Sequence, residues 1–417
     1  MATLQRVAIT GMGAICGLGN SLPQIWENAV AGKSGVSLVE TLNTTDLPIK
    51  IAGEVKNFTL SESILDAKEA AKYDRFIHLA LHATNEALND AGLNKGQSIY
   101  SQERMGSILG VGMGGFPFIE STHATFMEKG TRRVSPFFIP SIIPNMAPGL
   151  VTIQFGLKGV NYSISSACAS AGHAIGAAVQ EIMLGNQDVV VTGGAESVLS
   201  NLTFSGFANM KAMTKSYNEN PTAASRPYDI ARDGFVIGEG SGILILENYD
   251  KAVARGAKIY AEVVGYGSSS DAHHITAPHP EGEGAIQCMR QALSTAGVSG
   301  DVVDYINAHG TSTPLGDIAE TKAIKGLFGK HAYDLVVSST KSMTGHLLGA
   351  AGGIETIFCA LALHHGIVPP TINLENQDPE CDLNYVPNKS IKRELKYALN
   401  NSFGFGGTNA STLLKKV

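Results

Sequence analysis

Apolar and polar positions alternate along this chain with two distinct periods. Residues 189–192 and 243–246 are unbroken apolar runs, the pattern of strands buried on both faces. Residues 7–10 and 107–111 are further strand candidates in the first half, and 259–264, 303–306, 398–401 and 411–414 in the second. The glycines after residue 10 read as a turn. Stretches with helical spacing lie between the strands. Ser21-Leu22-Pro23 reads as a helix start and Gly32 as its stop. Residues 67–91 read as one long helix ended by Gly92, and 249–255 as a short one before Gly256. Residues 284–296 and Pro314–Phe328 are also helical, with Pro314 suited to a first turn. Residues 345–364 form an apolar, glycine-rich stretch that predicts a deeply packed helix. This alternation predicts an α/β architecture. Composition divides it near residue 255, into 1–255 and 256–417.

Cys168 stands out against this pattern. It lies in Ser165-Ser166-Ala167-Cys168-Ala169-Ser170-Ala171-Gly172, after a strand-like stretch (Val160, Tyr162, Ile164) and before a helix-like one (Ile175, Val179, Ile182, Met183). A helix N-terminus favours negative charge, so this position is expected to lower the thiol pKa. The same turn offers N–H donors to an oxyanion. The bland alternative is a buried, inert cysteine, which suits the other four: Cys16, Cys288, Cys359 and Cys381.

Composition narrows the possibilities. Of the 417 residues 44% are hydrophobic and only 16% charged, so burial is extensive. The net charge is −6 with no basic stripe, which speaks against nucleic acid. The cysteines are odd in number and scattered without metal-ligand spacing, as in a reduced cytoplasmic protein with no metal site. The apolar stretch after Arg6 loosely mimics a signal peptide, but it is short and broken by glycines, and a strand followed by a turn describes it better. No run is long and apolar enough for a membrane span.

Three further motifs carry candidate chemistry. His309 and its neighbours Thr311 and Thr313 lie in Asn307-Ala308-His309-Gly310-Thr311-Ser312-Thr313-Pro314-Leu315-Gly316-Asp317, just past a predicted strand, where α/β active sites gather. The two threonines alternate and are placed to face one groove. A polar turn capped by Asp317 explains them equally well but leaves His309 without a role. Lys341 and His346 precede the apolar stretch, and a lysine in such surroundings needs a partner; Glu355 is the candidate. In Asn401-Ser402-Phe403-Gly404-Phe405-Gly406-Gly407-Thr408-Asn409, three glycines among two phenylalanines imply close backbone approach; a simple glycine hairpin is the alternative. Gly11-Met12-Gly13…Gly17 lacks GxGxxG spacing, and no GxSxG elbow is present. The pairs His273-His274 and His364-His365 lack the neighbours a metal needs.

In this order the motifs resemble those of the β-ketoacyl-acyl-carrier-protein synthases, from Arg6 to the C-terminus, and most of all the type II elongating enzymes of bacterial fatty-acid synthesis. Arg226-Pro227-Tyr228-Asp229…Arg232-Asp233-Gly234-Phe235-Val236…Gly238-Glu239-Gly240 adds to the resemblance. It implies a thiolase-type fold, two similar α/β halves stacked as five layers, α-β-α-β-α, in a homodimer. It implies Cys168 as nucleophile, His309 and His346 as catalytic histidines, and Lys341 paired with Glu355. Phe405 would be the gate, its N–H joining that of Cys168 in the oxyanion hole. Met113, Phe207 and Phe403 would line the acyl and substrate site with Thr311 and Thr313. Lys68, Lys72 and Lys211 would form the basic dock for an acidic acyl-carrier protein, whose phosphopantetheine arm makes a resident cofactor unnecessary.

The implied reaction is decarboxylating condensation of malonyl-carrier protein with a Cys-bound acyl chain. A polyketide-type ketosynthase and a non-catalytic chain-length partner of the same fold are the rival readings. Histidine at both 309 and 346 favours elongation over starter condensation, and the presence of Cys168 speaks against the non-catalytic partner. A biosynthetic thiolase would need a second cysteine in the glycine-rich C-terminal loop, which has none.

Overall fold

The computed structural model describes residues 4–94 and 99–417. Ten strands form one continuous sheet system: β1 (Val7–Cys16), β2 (Met105–Gly110), β3 (Asn161–Ile164), β4 (Val189–Glu196), β5 (Gly240–Asn248), β6 (Ala261–Ser270), β7 (Tyr305–Asn307), β8 (Val336–Ser338), β9 (Tyr397–Gly404) and β10 (Thr408–Lys415). Their spatial order is β8-β7-β9-β10-β6-β1-β5-β4-β2-β3. The first five strands and the last five therefore follow the same order, third-second-fourth-fifth-first. Their pairing senses match too. β1–β5 and β5–β4 are antiparallel and β4–β2 and β2–β3 parallel. β6–β10 and β10–β9 are antiparallel and β9–β7 and β7–β8 parallel. The two sheets meet along β1 and β6 in three residue pairs only, Val7 to Ile9 against Val263 to Ala261.

Six helices complete the layers: α1 (Arg75–Ala91), α2 (Met146–Phe155), α3 (Ser170–Met183), α4 (Glu283–Ala296), α5 (Pro314–Phe328) and α6 (Ala351–His365). Side-chain alternation on the strands assigns each helix its place. Val189, Val191, Ile243 and Ile245 pack outward with α1 and α2. Val190, Leu244 and Leu246 face inward, where Ile175, Val179 and Ile182 of α3 meet Ile354, Ile357 and Phe358 of α6. Ala398 and Leu414 close that middle layer from the other sheet, while Leu399 and Leu413 face α4 and α5. The result is the five-layer α-β-α-β-α stack. Because both faces of β4 and β5 are covered, their centres read as the apolar runs Val189–Val191 and Ile243–Leu246. No helix among the described residues is long and apolar enough to cross a membrane.

Three sequence expectations need correction. β1 does not stop at Thr10 but runs through the glycines to Cys16. Gly11 and Gly13 lie beneath α1, where an added Cβ would fall 2.3 Å from Ala87 O and 2.1 Å from Ala83 O. They are glycines for close packing, not for a turn. Residues 67–91 are not one helix: Ala67–Ala70 stops, and Asp74 caps a new start by accepting the Phe76 N–H, a stronger local preference than continuing the helix. The apolar stretch after Gly345 is not α-helical until Ala351, with a single 3-10 turn over Leu348–Ala350 before it. Gly345 at φ 70° and Leu348 at φ 47° turn the chain there, and the His346 N–H donates to Val236 O. The interruption frees His346 from a helix surface.

Gly13→Ala is expected to lower stability by about 1–3 kcal/mol through overpacking against α1. The denaturation midpoint checks this; an unchanged midpoint would mean that α1 yields freely.

Candidate active site

Cys168 sits on a tight turn between β3 and α3. Ala167 before it is held at φ 50°, a left-handed conformation that costs energy for a residue with a side chain. The turn is backed by the β9–β10 hairpin: a side chain on Gly404 would come within 3.1 Å of Cys168 N and 3.0 Å of Ser166 O. This proximity brings the Phe405 N–H close enough to favour a negative charge on the Cys168 sulfur. The motif is thus a glycine hairpin and a lining of the site at once.

The two histidines arrive from the other half of the fold. His309 follows β7, and His346 lies in the turn before α6. Their ring centroids are 5.3 Å apart at 86°. His346 also stands edge-on to Phe235 at 5.5 Å. The Leu348 N–H donates to His346 Nδ1 at 3.3 Å, which leaves the proton on Nε2, a hydrogen-bond donor. The His309 turn is pinned by Glu320, which accepts the N–H of His309 at 2.9 Å and of Gly310 at 2.8 Å. Ser312 (φ 70°) and Leu348 (φ 47°) place a strained residue beside each histidine, as Ala167 does beside the cysteine.

One cavity of about 540 Å³ joins these groups. Cys168, His309, His346, Phe403 and Phe405 line it, as do Met113, Phe207, Thr311 and Thr313. Thr311 Oγ1 and Thr313 Oγ1 are 2.9 Å apart. Lys211 also lines the cavity, but Lys68 and Lys72 do not; Lys68 is exposed and Lys72 pairs with Glu69. Lys341 and Glu355 are both buried and form an ion pair outside the cavity lining. Removing one partner of such a pair strands a charge, typically at about 3–5 kcal/mol. Asp317 is no simple helix cap. It is fully buried, accepts the N–H of Ser312 and of Tyr228, and pairs with Arg232 at 3.2 Å.

Burial sets the protonation states. It holds His309 and His346 well below the usual imidazole range, and the Lys341 cation pushes both further down, so both rings are neutral donors. The expected fall of the Cys168 pKa does not occur. The residue keeps part of its surface toward the cavity, but protein surrounds the sulfur closely. Burial pushes the thiol up to about 12, against opposing pulls from Lys341 and the Phe405 N–H. The dipole of α3 is outweighed because desolvation penalises the thiolate more.

Two carboxylates of the site escaped the sequence reading. Glu196, fully buried at the end of β4, accepts the N–H groups of Gly112, Met113, Gly114 and Gly349. It thereby fixes the wall carrying Met113 against the turn after His346. Glu320 does the same for His309. An acid ending an apolar strand, as in Gly193-Gly194-Ala195-Glu196, was the available signal.

Comparison with known proteins agrees with this geometry. Residues 4–252 match the family Beta-ketoacyl synthase, N-terminal domain, and residues 260–375 match Beta-ketoacyl synthase, C-terminal domain. The chain is 48% identical over 416 residues to 3-oxoacyl-[acyl-carrier-protein] synthase 2 of Staphylococcus aureus (strain COL), covering 100% of this chain and 99% of that protein. It is 47% identical over 418 residues to the protein of the same name from Synechocystis, covering 100% of both. A crystal structure of a beta-ketoacyl synthase from Burkholderia phymatum superposes with a TM-score of 0.92 at 34% identity, over 99% of this chain and 100% of that one. A type II polyketide ketosynthase bound to a hexaketide and in complex with its acyl-carrier protein gives 0.91 at 33%, over 99% and 100%. With a thiol, two neutral histidines and a backbone N–H converging on one cavity in a duplicated five-layer fold, this chain belongs to the β-ketoacyl synthase family.

Proposed function

We propose that this protein is an acyltransferase that extends fatty acyl chains by two carbons, condensing malonyl-acyl-carrier protein with a chain held on Cys168. The observation that carries the reading is the convergence of Cys168, His309, His346 and the Phe405 N–H on one cavity. Cys168 attacks the thioester of an acyl-carrier protein. The N–H groups of Cys168 and Phe405 hold the oxyanion, each such donor contributing roughly 2.7–4 kcal/mol to the barrier. The thiol proton leaves on the departing carrier thiol, so no free thiolate need accumulate in the resting enzyme. Malonyl-carrier protein then loses carbon dioxide. The enolate oxygen accepts hydrogen bonds from the two neutral imidazoles, which count for more in an apolar site. The carbanion attacks the acyl-Cys168 carbonyl, the bond from that carbon to sulfur breaks to give the 3-oxoacyl chain on the carrier, and the released sulfur takes a proton from solvent.

Lys341, balanced by Glu355, acts from behind by keeping both histidines neutral. Phe405 serves as the gate, Met113 and Phe207 as acyl wall, and Phe403, Thr311 and Thr313 as the lining for the phosphopantetheine arm. That arm delivers the thioester, so the reading calls for no resident cofactor or metal. Residues 1–255 and 256–417 are taken as the two halves, a division supported by the repeated strand order. The polyketide reading is supported by structural likeness at 33% identity, less than the 47–48% to the 3-oxoacyl synthases.

A homodimer is supported by the surface around the site. β3 is an exposed edge strand, and edges invite pairing. The helix Phe116–Lys129 buries none of its residues. Phe126, Met127, Phe137, Ile139, Ile153 and Tyr162 are exposed on the segments before and along β3. Lys68, Lys72 and Lys211 are proposed to meet the acidic carrier, supported most directly for Lys211 by its place on the cavity lining. A cytoplasmic location fits five unpaired cysteines.

Intact-protein mass spectrometry after incubation with long-chain acyl-carrier protein should show an acyl mass gain on the parent and none on Cys168→Ala. Cys168→Ala should still decarboxylate malonyl-carrier protein, while His309→Ala and His346→Ala should lose about 10²–10³ in that half-reaction. Normal decarboxylation in both histidine variants would sink their assignment. Because the raised thiol pKa leaves little thiolate at neutral pH, alkylation by iodoacetamide should climb about tenfold per unit from pH 6 to 9; a plateau below pH 8 would show a resting thiolate. Charge reversal at Lys68, Lys72 and Lys211 together should raise KM for the carrier at unchanged kcat, and an unmoved KM would remove this dock. Sedimentation should give a dimer that Tyr162→Arg and Ile153→Arg weaken.

A further inference from the structure

The oxyanion hole described above is assembled from two segments far apart in the chain. The Cys168 N–H belongs to the turn before α3, and the Phe405 N–H to the tip of the β9–β10 hairpin. Their separation is set by whatever ties turn to hairpin. One tie is plain: Thr408 Oγ1 donates to Ser166 O at 3.0 Å. The other is a histidine that neither the sequence motifs nor the proposed chemistry uses.

His173 lies in the first turns of α3, half-buried, with both ring nitrogens engaged. Nε2 is 3.2 Å from the carbonyl oxygen of Asn409 in β10 and 3.2 Å from Ser268 Oγ in β6. A carbonyl can only accept, so Nε2 carries the proton. Nδ1 is therefore bare and accepts from Ser166 Oγ at 2.6 Å. Burial holds the ring below the usual imidazole range, which keeps that acceptor available. The connection thus runs from Asn409 O through the imidazole to Ser166 Oγ, two residues before the nucleophile.

We propose that His173 is a positioning residue that fixes the width of the oxyanion hole by bracing the Cys168 turn against the β9–β10 hairpin. An apolar ring of similar size would fill the space but leave Ser166 Oγ and Asn409 O without this partner. The turn, already strained at Ala167, would then relax away from the hairpin. Acyl transfer to Cys168 needs the hole. Malonyl decarboxylation, whose enolate rests on His309 and His346, does not. This inference rests on the proposed function, and the two half-reactions separate its failure from that of the reading.

The test compares the parent, His173→Ala, His173→Asn, Ser166→Ala and the Ser166→Ala/His173→Ala double variant. Single-turnover acylation by acyl-carrier protein is followed by intact mass, and carbon dioxide release from malonyl-carrier protein is measured without an acyl donor. His173→Ala and Ser166→Ala should each slow acylation about tenfold or more, a share of the roughly 10²–10³ that losing one oxyanion donor costs. Decarboxylation should stay within about twofold of the parent. His173→Asn, which keeps an acceptor for Ser166 Oγ, should fall between parent and alanine variant. The double variant should be no slower than the worse single one, because both cut one connection. Equal acylation rates in parent and single variants would overturn the inference, as would a parallel fall of both half-reactions, which marks a merely structural role. A parent that takes up no acyl group would overturn the functional reading and this inference with it.

Discussion

The site depends on one close approach, the β9–β10 hairpin laid against the Cys168 turn across the boundary between two sheets. Neither segment can hold this position alone. The hairpin has only Gly404 to offer as a flat surface against the cysteine turn, and the turn carries a left-handed Ala167. Such strain persists only where surrounding structure over-determines it. Here the middle layer does so: α3 and α6 pack against each other and against both sheets in a single apolar core. The same core ends in the turns that carry His346 and Cys168, so packing far from the cavity fixes the distances within it.

Electrostatics in this enclosed region follow one economy. The cation that acts on both histidines, Lys341, is balanced by Glu355, and two further buried acids of the site, Glu196 and Glu320, are held mainly by backbone N–H groups. Backbone donors satisfy a carboxylate without adding a mobile charge, so the field at the histidines is dominated by Lys341. That field and burial act in the same direction on imidazole, and both rings stay neutral. On the thiol they act in opposite directions, and burial is the larger. A protonated thiol beside neutral histidines suits a reaction whose charge appears only in passing. In the proposed reaction the preorganised donors would act on the developing oxyanion and enolate rather than on a standing charge.

The duplicated strand order gives this arrangement a structural logic. Each sheet contributes to the site from segments that follow its strands. One delivers the cysteine, and the other the two histidines and the glycine hairpin. The thiol and the pair of imidazoles therefore meet in a cavity that neither sheet supplies alone. The cavity wall with Met113 belongs to the first sheet and is tied by Glu196 to Gly349, three residues after His346. The two sides of the cavity thus share a rigid connection.

The sequence by itself marked nine of the ten strands, missing β8 and cutting β1 short at Thr10, because burial on both faces demands runs such as residues 189–192 and 243–246 whatever their neighbours. It determined Pro314–Phe328 to the residue, since proline starts and glycine stops are local rules. It also supplied Cys168, His309, His346 and the glycine-rich hairpin as candidates, because their residue types have few other uses in such settings. The tertiary structure decided the rest. Gly11 and Gly13 look like a turn until α1 lies across them, and Glu196, Glu320 and His173 look ordinary until distant backbone groups reach them. The thiol pKa was misjudged for the same reason: a helix dipole is written in local sequence, but desolvation depends on everything packed around the sulfur. Local rules fix what a segment becomes, whereas burial, charge and reach are sums over neighbours that only the folded chain brings together.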